Sequence, residues 1–327
     1  MIKMLYRVPQ PVDAVSFYRG LGVLGQLRNK LPIDFVTTND FNWHNFAMVD
    51  LLYIVRPSSN ADKRLIEFAK NCGCPVWIDY DDNILKVPID NIAHNFYADK
   101  EVQANVKYAL KNADVVSVST EYLAYEFNRH REKPCVVIPN AFNDKMFDFN
   151  KPLPERKKII SWRGSRTHDR DLGIAHQFFK KAQEDLQDWS FTFLGEPDWR
   201  TQEIFLASRF KLIPSAHIIE YFHTFHQLGS TLHAVPLIDN DFNRSKSNIA
   251  WIEASFVGAV TVGPNMPEWQ KPGVINTEWF LTVNAKDILR DPEFCQTNLK
   301  LSREFIFDNL LLSKMNSKRV DIIETLL

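Results

Sequence analysis

The chain has 327 residues and a formal net charge of −1, with 45% hydrophobic and 24% charged residues. That composition excludes a disordered or fibrous chain, and the length suits two domains rather than one ordinary core. The first 150 residues contain 17 basic and 18 acidic residues, and the remainder contains 22 of each, so neither half has the basic excess of a protein that binds nucleic acid mainly through charge.

The sequence contains no apolar run near the length of about 18 residues that a membrane-spanning helix needs. Its first residues, "MIKMLYRVPQPVDA", have neither an apolar core nor a small-residue cleavage site, so we expect no signal peptide and a cytoplasmic location. Four cysteines, two of them in "CGC", do not form a metal-binding pattern. We interpret them as bystander thiols in a reducing compartment.

Short β-rich runs alternate with helical patterns through the first half, which is typical of βαβ units and a parallel sheet with helices on both faces. Predicted strands span residues 3–8, 33–37, 51–56, 75–79, 115–119 and 135–138, and predicted helices span 17–30, 61–71, 100–112 and 121–130.

The segment "NDKMFDFNKPLPERKK" interrupts this alternation and is the best linker candidate. We therefore divide the chain into domains at residues 1–150 and 151–327. Beyond the linker, predicted strands span residues 158–162, 190–194, 232–238 and 259–262, predicted helices span 172–185, 200–210, 218–228 and 247–257, and a helical tail covers 285–327.

The predicted fold class is α/β, with two Rossmann-like, doubly wound parallel-sheet domains that face each other across a cleft. Ligands of such sheets bind beyond the carboxyl ends of the strands. The loops that follow each strand are therefore the places to look for functional residues.

The first such loop, "SFYRGLG", contains Tyr18, Arg19 and Gly20. Glycines there allow a ligand to approach the backbone, and an arginine beside the turn is suited to hold a phosphate. Turn formation and helix packing are the alternative role of the glycines. The loop lacks the spacing of a dinucleotide-binding fingerprint.

The second loop, "WIDYDDNILKVP", places Asp79, Asp81 and Asp82 at the end of an apolar strand. Alternation along the strand puts Asp79 and Asp81 on one face. Carboxylates there would orient sugar hydroxyls, bind a metal or act as a base, whereas Asp82 would also serve as a helix cap.

In "VSTEYLAYEF", Thr120 is predicted to cap the following helix. In "VIPNAFN", Asn140 and Asn143 follow a strand, and we interpret both as turn residues.

The loop "SWRGSRTHDRD" opens the second half with a strand that ends in basic residues. Its glycine permits close approach of a ligand, and its arginines suit a diphosphate. The candidates for this ligand site, later called the donor site, are Arg163, Gly164, Ser165, Arg166 and Arg170, with His168 nearby.

The segment "PLIDNDFNRSKSNIAWIEASFVGAVTVGP" joins a strand to a helix through a crowded polar loop. Ser245 or Ser247 is a candidate helix cap, and Arg244 and Lys246 add positive charge where the helix amides begin, so we predict a phosphate site. Glu253 lies further along among apolar residues, where a carboxylate needs a partner such as a ribose hydroxyl.

Together, "ADVVSVSTEYLAYEF", "VIPNAFN", "IISWRGSRTHDRDL" and the segment from Pro236 to Trp269 resemble GT-B glycosyltransferases of the family 4-like group. The resemblance implies an acceptor-binding first domain, a donor-binding second domain and a last helix that crosses back to the first. It also implies that Glu253 holds the donor ribose, that Ser247 and Asn248 lie at the diphosphate, and that Gly164 lies under the nucleotide.

The sequence departs from that family at two places. Ser245 stands where the family often has a first glutamate, with Asp239 or Asp241 as substitutes from the loop. The usual arginine–lysine pair under the diphosphate has no single match, so Arg163, Arg166, Arg170 and Lys246 form a pool of candidates.

We predict transfer of a sugar from a UDP- or GDP-sugar to a hydroxyl acceptor, with retention and without a metal or a tightly bound cofactor. Asp81, Asp82, Arg163 and Lys246 are the predicted catalytic residues. A saccharide is the default acceptor. The alternatives are a phage-type enzyme that glycosylates a modified DNA base, a non-catalytic nucleotide-sugar-binding protein and a nucleotide-sugar epimerase; the sequence indicates no oligomeric state.

Overall fold

The computed structural model describes residues 1–7, 13–37, 49–289 and 291–327. The first half of the described chain forms a sheet whose short, apolar strands are separated by helices. Its strands are β1 (Ile2–Arg7), β2 (Ile33–Thr37), β3 (Leu51–Val55), β4 (Val76–Tyr80), β5 (Val115–Val118) and β6 (Val136–Val137). Its helices are α1 (Ala14–Arg19), α2 (Leu21–Leu27), α3 (Asn60–Asn71), α4 (His94–Tyr97), α5 (Lys100–Asn112) and α6 (Glu121–Asn128).

The order of this parallel sheet is β2-β1-β3-β4-β5-β6. Every residue of β3 and β4 is buried because helices cover both faces. Because the strands are parallel, the carboxyl ends of β1, β3 and β4 lie along one edge of the sheet, and this edge holds the site described below.

The second half repeats this architecture after the linker. Its strands are β7 (Lys157–Gly164), β8 (Ser190–Gly195), β9 (Phe210–Ile213), β10 (Ser230–Ala234), β11 (Val260–Gly263) and β12 (Ile275–Asn276), in the order β12-β11-β10-β7-β8-β9. Its helices are α7 (Asp169–Asp185), α8 (Trp199–Gln202), α9 (Ile218–Leu228), α10 (Asp241–Arg244), α11 (Ile249–Val257) and α12 (Thr277–Thr282).

Three further helices end the chain: α13 (Ala285–Leu289), α14 (Pro292–Asn309) and α15 (Leu312–Leu326). The last of them returns to the first sheet, where Ile322 and Ile323 join the core formed by β1, β3 and the end of β6. Backbone bonds between Phe142 and the α14–α15 junction fix this crossing. The return of the final helix agrees with the resemblance seen in the sequence.

The α/β class and the two parallel sheets are confirmed, and most predicted elements lie within a few residues of the observed ones. The domain boundary at 150/151 stays a prediction, although the sheets fall on either side of it. Val8 of the first predicted strand and Arg290 of the tail lie outside the described residues.

Two helix predictions are wrong, and strands β9 and β12 were not predicted. The helix predicted over residues 17–30 is two helices that meet at Gly20, where a Cβ would lie 1.8 Å from the Tyr6 hydroxyl. Of the helix predicted over residues 200–210, only α8 is present. The last residue of the predicted range, Phe210, is the first residue of strand β9. Strand β12 was missed because two residues carry no detectable alternation.

Among the described residues, no helix is both long and apolar enough to cross a membrane. The four cysteines are free thiols.

Candidate active site

A cleft of about 300 Å³ separates the carboxyl edges of the two sheets. Its first-domain wall includes Tyr18, Arg56, Asp81, Asp82 and Asn140. The opposite wall includes Arg163, His168, His233, Lys246, Ser247, Ile249, Ala250, Glu253 and Trp269. The strand-end loops therefore meet where parallel sheets present their ligands.

A second cavity of about 270 Å³ adjoins the cleft and shares Arg163 and Glu253 with it. Its floor is the meeting of β7 and β8, where a Cβ on Gly195 would lie 1.9 Å from the Gly164 carbonyl oxygen. Its far wall is residues 213–218, which run from the last residue of β9 to the first residue of α9. We call it the side cavity.

Glu253 lies at the junction of the cleft and the side cavity and is 3% exposed. Its carboxylate accepts hydrogen bonds from the hydroxyls of Tyr18 at 2.5 Å and Tyr221 at 2.9 Å, and Arg163 Nε lies 2.8 Å from Oε2. Burial, and then the negative carboxylate, raise the pKa of both tyrosines well above the usual value, so both stay protonated donors. The buried glutamate thus has the partners that the sequence required.

The amino end of α11 faces the cleft, and Ile249 and Ala250 of its first turn line it. Amides of a first helical turn have no partner inside the helix and favour an anion. Ser247 precedes the helix and its hydroxyl accepts from Asn140 Nδ2 at 2.8 Å. The cap residue is Asn248 and not Ser245 or Ser247, and the helix begins two residues later than predicted.

Lys246 brings positive charge to this helix end. Its Nζ lies 3.3 Å from Asp82 Oδ1 across the cleft and 4.4 Å from the centre of the Phe242 ring. The ion pair joins the two walls of the cleft, and a bound anion would compete with Asp82 for this lysine.

The acidic loop after β4 divides by burial. Asp81 and Asp82 line the cleft and both pair with Arg56, Asp82 through Arg56 Nη2 at 2.6 Å. Asp79 is fully buried and pairs instead with Arg19. The prediction that Asp79 and Asp81 share one face is wrong, because β4 ends at Tyr80 and its alternation ends there too.

Burial raises the pKa of Asp81 and outweighs the opposing effect of Arg56. Burial also acts on Asp82, but the cations Lys246 and Arg56 outweigh it and lower the pKa of Asp82 below its usual range. Adjacent carboxylates thus have pKa values displaced in opposite directions, which is common in acid–base sites.

Arg19 and Gly20 do not line the cleft. Arg19 is fully buried, with Nε and Nη2 each 2.7 Å from an Asp79 oxygen and Nη1 2.6 Å from the Ile138 carbonyl. Every nitrogen of the guanidinium is engaged, so the structure corrects the prediction that Arg19 holds a phosphate. Of that loop, Tyr18 alone among the three predicted residues lines the cleft.

The remaining donor-site candidates also separate. Gly164 and Ser165 line the side cavity. Arg166 pairs with Asp169, Arg170 with Asp90 at 2.6 Å, and Arg244 with Asp239, all with side chains at least 43% exposed and outside both cavities. The pool of cations that line the cleft is therefore Arg56, Arg163 and Lys246 within the described residues.

Ser245 is fully buried and its hydroxyl donates to the Asp241 carbonyl at 2.7 Å. Asp241 accepts from the Tyr122 hydroxyl, and neither Asp241 nor Asp239 lines the cleft. The suggestion that one of these aspartates replaces the missing glutamate is therefore wrong. Among the described residues the carboxylates that line the cleft are Asp81, Asp82 and Glu253.

Several residues that line the cleft or hold its walls were not predicted from the sequence. Arg56 follows an apolar strand in "YIVRP", the same signal that identified Arg163. Asn140 was interpreted as a turn residue but joins Arg19 to Ser247. Residues 214–217 were not predicted because strand β9 was not recognised, although "FKLIP" is a β-rich run that ends at a proline.

Two histidines, His168 half-buried and His233 buried, complete the second-domain wall. His168 Nδ1 lies 3.0 Å from Asp171 Oδ2, and burial lowers the pKa of His168 although Asp171 opposes this. His233 Nδ1 lies 3.0 Å from the Ser161 hydroxyl, and burial together with Arg163 lowers the pKa of His233 to about 3. We therefore expect His233 to be neutral at physiological pH.

The sequence matches no protein-family model and no curated protein. Solved structures do match. Anabaena Alr3699/HepE in complex with UDP and glucose has a TM-score of 0.66 at 11% identity over 99% of this chain and 100% of that one. An alpha-glucosyltransferase in complex with UDP and a 13-mer DNA has a TM-score of 0.65 at 12% identity over 99% of both chains.

The pneumococcal O-GlcNAc transferase GtfA in complex with UDP and GlcNAc has a TM-score of 0.61 at 13% identity, over 87% of this chain and 58% of that one. These structures share two Rossmann-like domains that face each other across a cleft. The chain has the GT-B fold. This agrees with the resemblance seen in the sequence, and it makes the cleft and the side cavity the places where a GT-B protein is expected to bind its ligands.

Proposed function

We propose that this GT-B protein transfers a sugar from a nucleoside-diphosphate sugar to a hydroxyl acceptor. The observation that carries the proposal is the position of Glu253, buried between the side cavity and a cleft that contains the amino end of α11 and Lys246. A nucleotide sugar is an elongated ligand with a nucleoside at one end, an anionic diphosphate in the middle and a sugar at the other end. The side cavity, the positively charged end of α11 and the cleft follow one another in the same order.

In the proposed complex the nucleoside occupies the side cavity over Gly164 and Ser165. Its ribose hydroxyls reach the Glu253 carboxylate, which keeps lone pairs beyond those used by Tyr18 and Tyr221. The diphosphate lies at Ser247 and Asn248, where the first-turn amides of α11, Lys246 and Arg163 stabilise the charge that develops as the sugar departs.

The sugar then lies against the first-domain wall. Asp82 is the cleft carboxylate kept ionised by neighbouring cations, and it accepts a hydroxyl of the sugar or of the acceptor once Lys246 has turned to the diphosphate. This assigns to the first domain the hydroxyl contact that a glutamate at position 245 would have made. The neighbours with bound UDP support UDP as the donor nucleotide, with GDP as the alternative.

We also propose retention and independence from a divalent metal. Lys246, Arg163 and the α11 amides supply the positive charge that the leaving diphosphate needs. Among the described residues no group of three or more His, Cys, Asp or Glu is arranged to hold a metal ion. We expect turnover to persist in EDTA. We also expect the product to have the same anomeric configuration as the donor when both are examined by NMR.

A saccharide or other soluble hydroxyl compound is the proposed acceptor. A modified DNA base is the second candidate, favoured by the similarity to the glucosyltransferase solved with DNA. The basic segments 129–133 and 154–158 do not support it. The first precedes β6 and the second includes the first two residues of β7, so both lie at the amino ends of the strands, opposite the cleft. Activity on DNA that falls steeply with salt would favour the second candidate.

The deciding experiment is calorimetric titration with UDP, GDP and UDP-glucose, followed by donor consumption with and without acceptors. Glu253→Gln is expected to weaken UDP binding about tenfold or more, because it removes a charged acceptor worth about 1.5–3 kcal/mol. Glu126→Gln is the matched control, since Glu126 is also buried but pairs with Arg129 outside both cavities.

Three outcomes would contradict the proposal. Absence of binding to any nucleoside diphosphate would remove the ligand class. Tight binding without donor consumption on any acceptor would indicate a non-catalytic binding protein. Conversion of the donor to another nucleotide sugar without acceptor would indicate an epimerase.

A further inference from the structure

Arg56 has an unusual backbone. It directly follows β3 and has φ of 50°, and among the described residues it is the one non-glycine residue with positive φ. Its amide donates to the Asp79 carbonyl at 2.8 Å, which fixes the turn. A bulky residue in the left-handed region is strained, and such residues cluster at functional sites.

The side chain of Arg56 uses this turn to reach both cleft aspartates at once. Nε pairs with Asp81 and Nη2 with Asp82 at 2.6 Å, so one planar guanidinium spans two adjacent carboxyl groups. The other oxygen of Asp82 faces Lys246 at 3.3 Å. The side chain of Arg56 is 20% exposed and lines the cleft, whereas Arg19 is fully enclosed.

We infer that Arg56 is a positioning residue that holds Asp82 in one orientation toward the sugar and keeps Asp81 and Asp82 side by side. The inference rests on the proposed function, since it concerns the carboxylate that we place against the transferred sugar. Without the guanidinium, two adjacent carboxylates in a half-buried cleft would repel each other and rotate apart or take up a proton.

The geometry distinguishes positioning from direct binding of the diphosphate. Arg56 projects from the first-domain wall, and its Nε and Nη2 are already bonded to carboxylates. Lys246 and the α11 amides belong to the opposite wall, next to the side cavity in which we place the nucleoside. Loss of Arg56 should therefore lower kcat and leave the donor KM nearly unchanged.

Several charged or titratable groups face Asp82 from the elements around it. They are Arg56 after β3, Asp81 beside it, Tyr97 of α4, His168 before α7 and Lys246 before α11. Of these, Arg56 and Lys246 are the ion-pair partners. When Lys246 turns to the diphosphate, Arg56 remains as the cation that keeps Asp82 ionised.

The test compares Arg56→Gly, Arg56→Lys and the wild type. Glycine adopts positive φ freely, so Arg56→Gly removes the guanidinium without straining the turn. We expect kcat to fall about 10- to 100-fold, as for misplacement of a reacting group, and by no more than in Asp82→Asn, with the donor KM within about threefold. Arg56→Lys keeps the charge but not the planar fork and should recover part of the loss.

The acid limb of the kcat–pH profile provides a second readout. It should move to higher pH in Arg56→Gly, because the loss of a cation raises the pKa of Asp82. The Asp82 carboxyl carbon, assigned by its absence in Asp82→Asn, can be titrated by NMR in the same variants. Arg7→Gln is the matched control, since Arg7 also pairs with an aspartate of its domain, is 16% exposed and does not line the cleft.

A kcat and an Asp82 titration in Arg56→Gly equal to those of the wild type would overturn the inference. The inference would also be overturned if the loss of kcat in Arg56→Gly only matched the loss of folded protein and the acid limb of the kcat–pH profile did not move. Arg56 would then have a structural role. If the wild type fails to consume any nucleotide sugar, the proposed function fails, and the NMR titration still decides whether Arg56 controls Asp82.

Discussion

Two arginine–aspartate clusters lie within a few residues of each other at the end of β4, and they differ in burial. Arg19 and Asp79 are both fully enclosed, and Ser117 and Asn140 complete their bonds. Arg56, Asp81 and Asp82 have side chains 13–22% exposed and face the cleft. The same chemistry therefore holds the fold together in one place and is available to a ligand in the other.

Charge at a strand end is therefore not by itself a functional signal. The enclosed pair has no oxygen or nitrogen left for a ligand. In the cleft cluster one Asp82 oxygen pairs with Lys246 of the other domain, and this lysine can leave Asp82 to bind an anionic ligand.

Replacing Arg19 by glutamine should have the largest effect, on stability. It leaves the Asp79 charge buried without its partner, and breaking a buried ion pair in this way costs about 3–5 kcal/mol. The measurement is the free energy of unfolding by urea titration. Arg28→Gln, which breaks an exposed pair, is the control, and equal stabilities for both variants would contradict the assignment.

Replacing Lys246 by methionine should have the next largest effect, on turnover. Loss of one charged group that stabilises the leaving diphosphate is expected to lower kcat about 100- to 1,000-fold. Steady-state kinetics with a saturating donor measures this. Lys158→Met serves as control because Lys158 pairs with Asp188 at the opposite edge of the sheet, and an equal loss there would sink the assignment.

Asp82→Asn should separate the two clusters most clearly. One charged hydrogen bond to a hydroxyl, worth about 1.5–3 kcal/mol, corresponds to a fall in kcat of about 10- to 100-fold. The free energy of unfolding should change far less than in Arg19→Gln. A variant that unfolds as readily as Arg19→Gln would show that the cleft cluster is structural too.

His233 extends the comparison to a buried ionisable group without a counter-ion. Its pKa is about 3 in the folded protein and 6.5 in the reference state, so the unfolded chain binds the extra proton between these values. Stability should therefore fall as pH drops below about 6.5, by about 2 kcal/mol at about pH 5. His233→Asn should flatten this acid limb in urea titrations; an unchanged limb would assign the loss to other groups.

Arg244→Gln should have the smallest effect. The sequence predicts a diphosphate contact, whereas the structure pairs Arg244 with Asp239 outside the cleft, with Nη2 2.8 Å from Oδ2. We expect the donor KM to stay within about twofold of the wild type. A tenfold rise in KM would restore the contact that the sequence suggested.

The alternation of strands and helices could be predicted from the sequence alone, and with it the α/β class and the two sheets. It also identified most of the strand-end loops, because apolar strands that stop at polar, glycine-containing segments are visible locally. Glu253 stood out in the sequence because a carboxylate among apolar residues needs partners. Tyr18, Gly164, Lys246 and Ser247 followed from the same local signals.

Which of these residues meet depends on the tertiary structure. Arg19 and Arg56 are both arginines that come after a strand of the first sheet, but Arg19 pairs with the fully enclosed Asp79, whereas Arg56 pairs with Asp82 in the cleft. Ser245 turned inward, while Asp82 came from the other domain to face Lys246. These contacts join residues far apart along the chain, 60 positions for Arg19 and Asp79 and 164 for Lys246 and Asp82, and no local pattern encodes them.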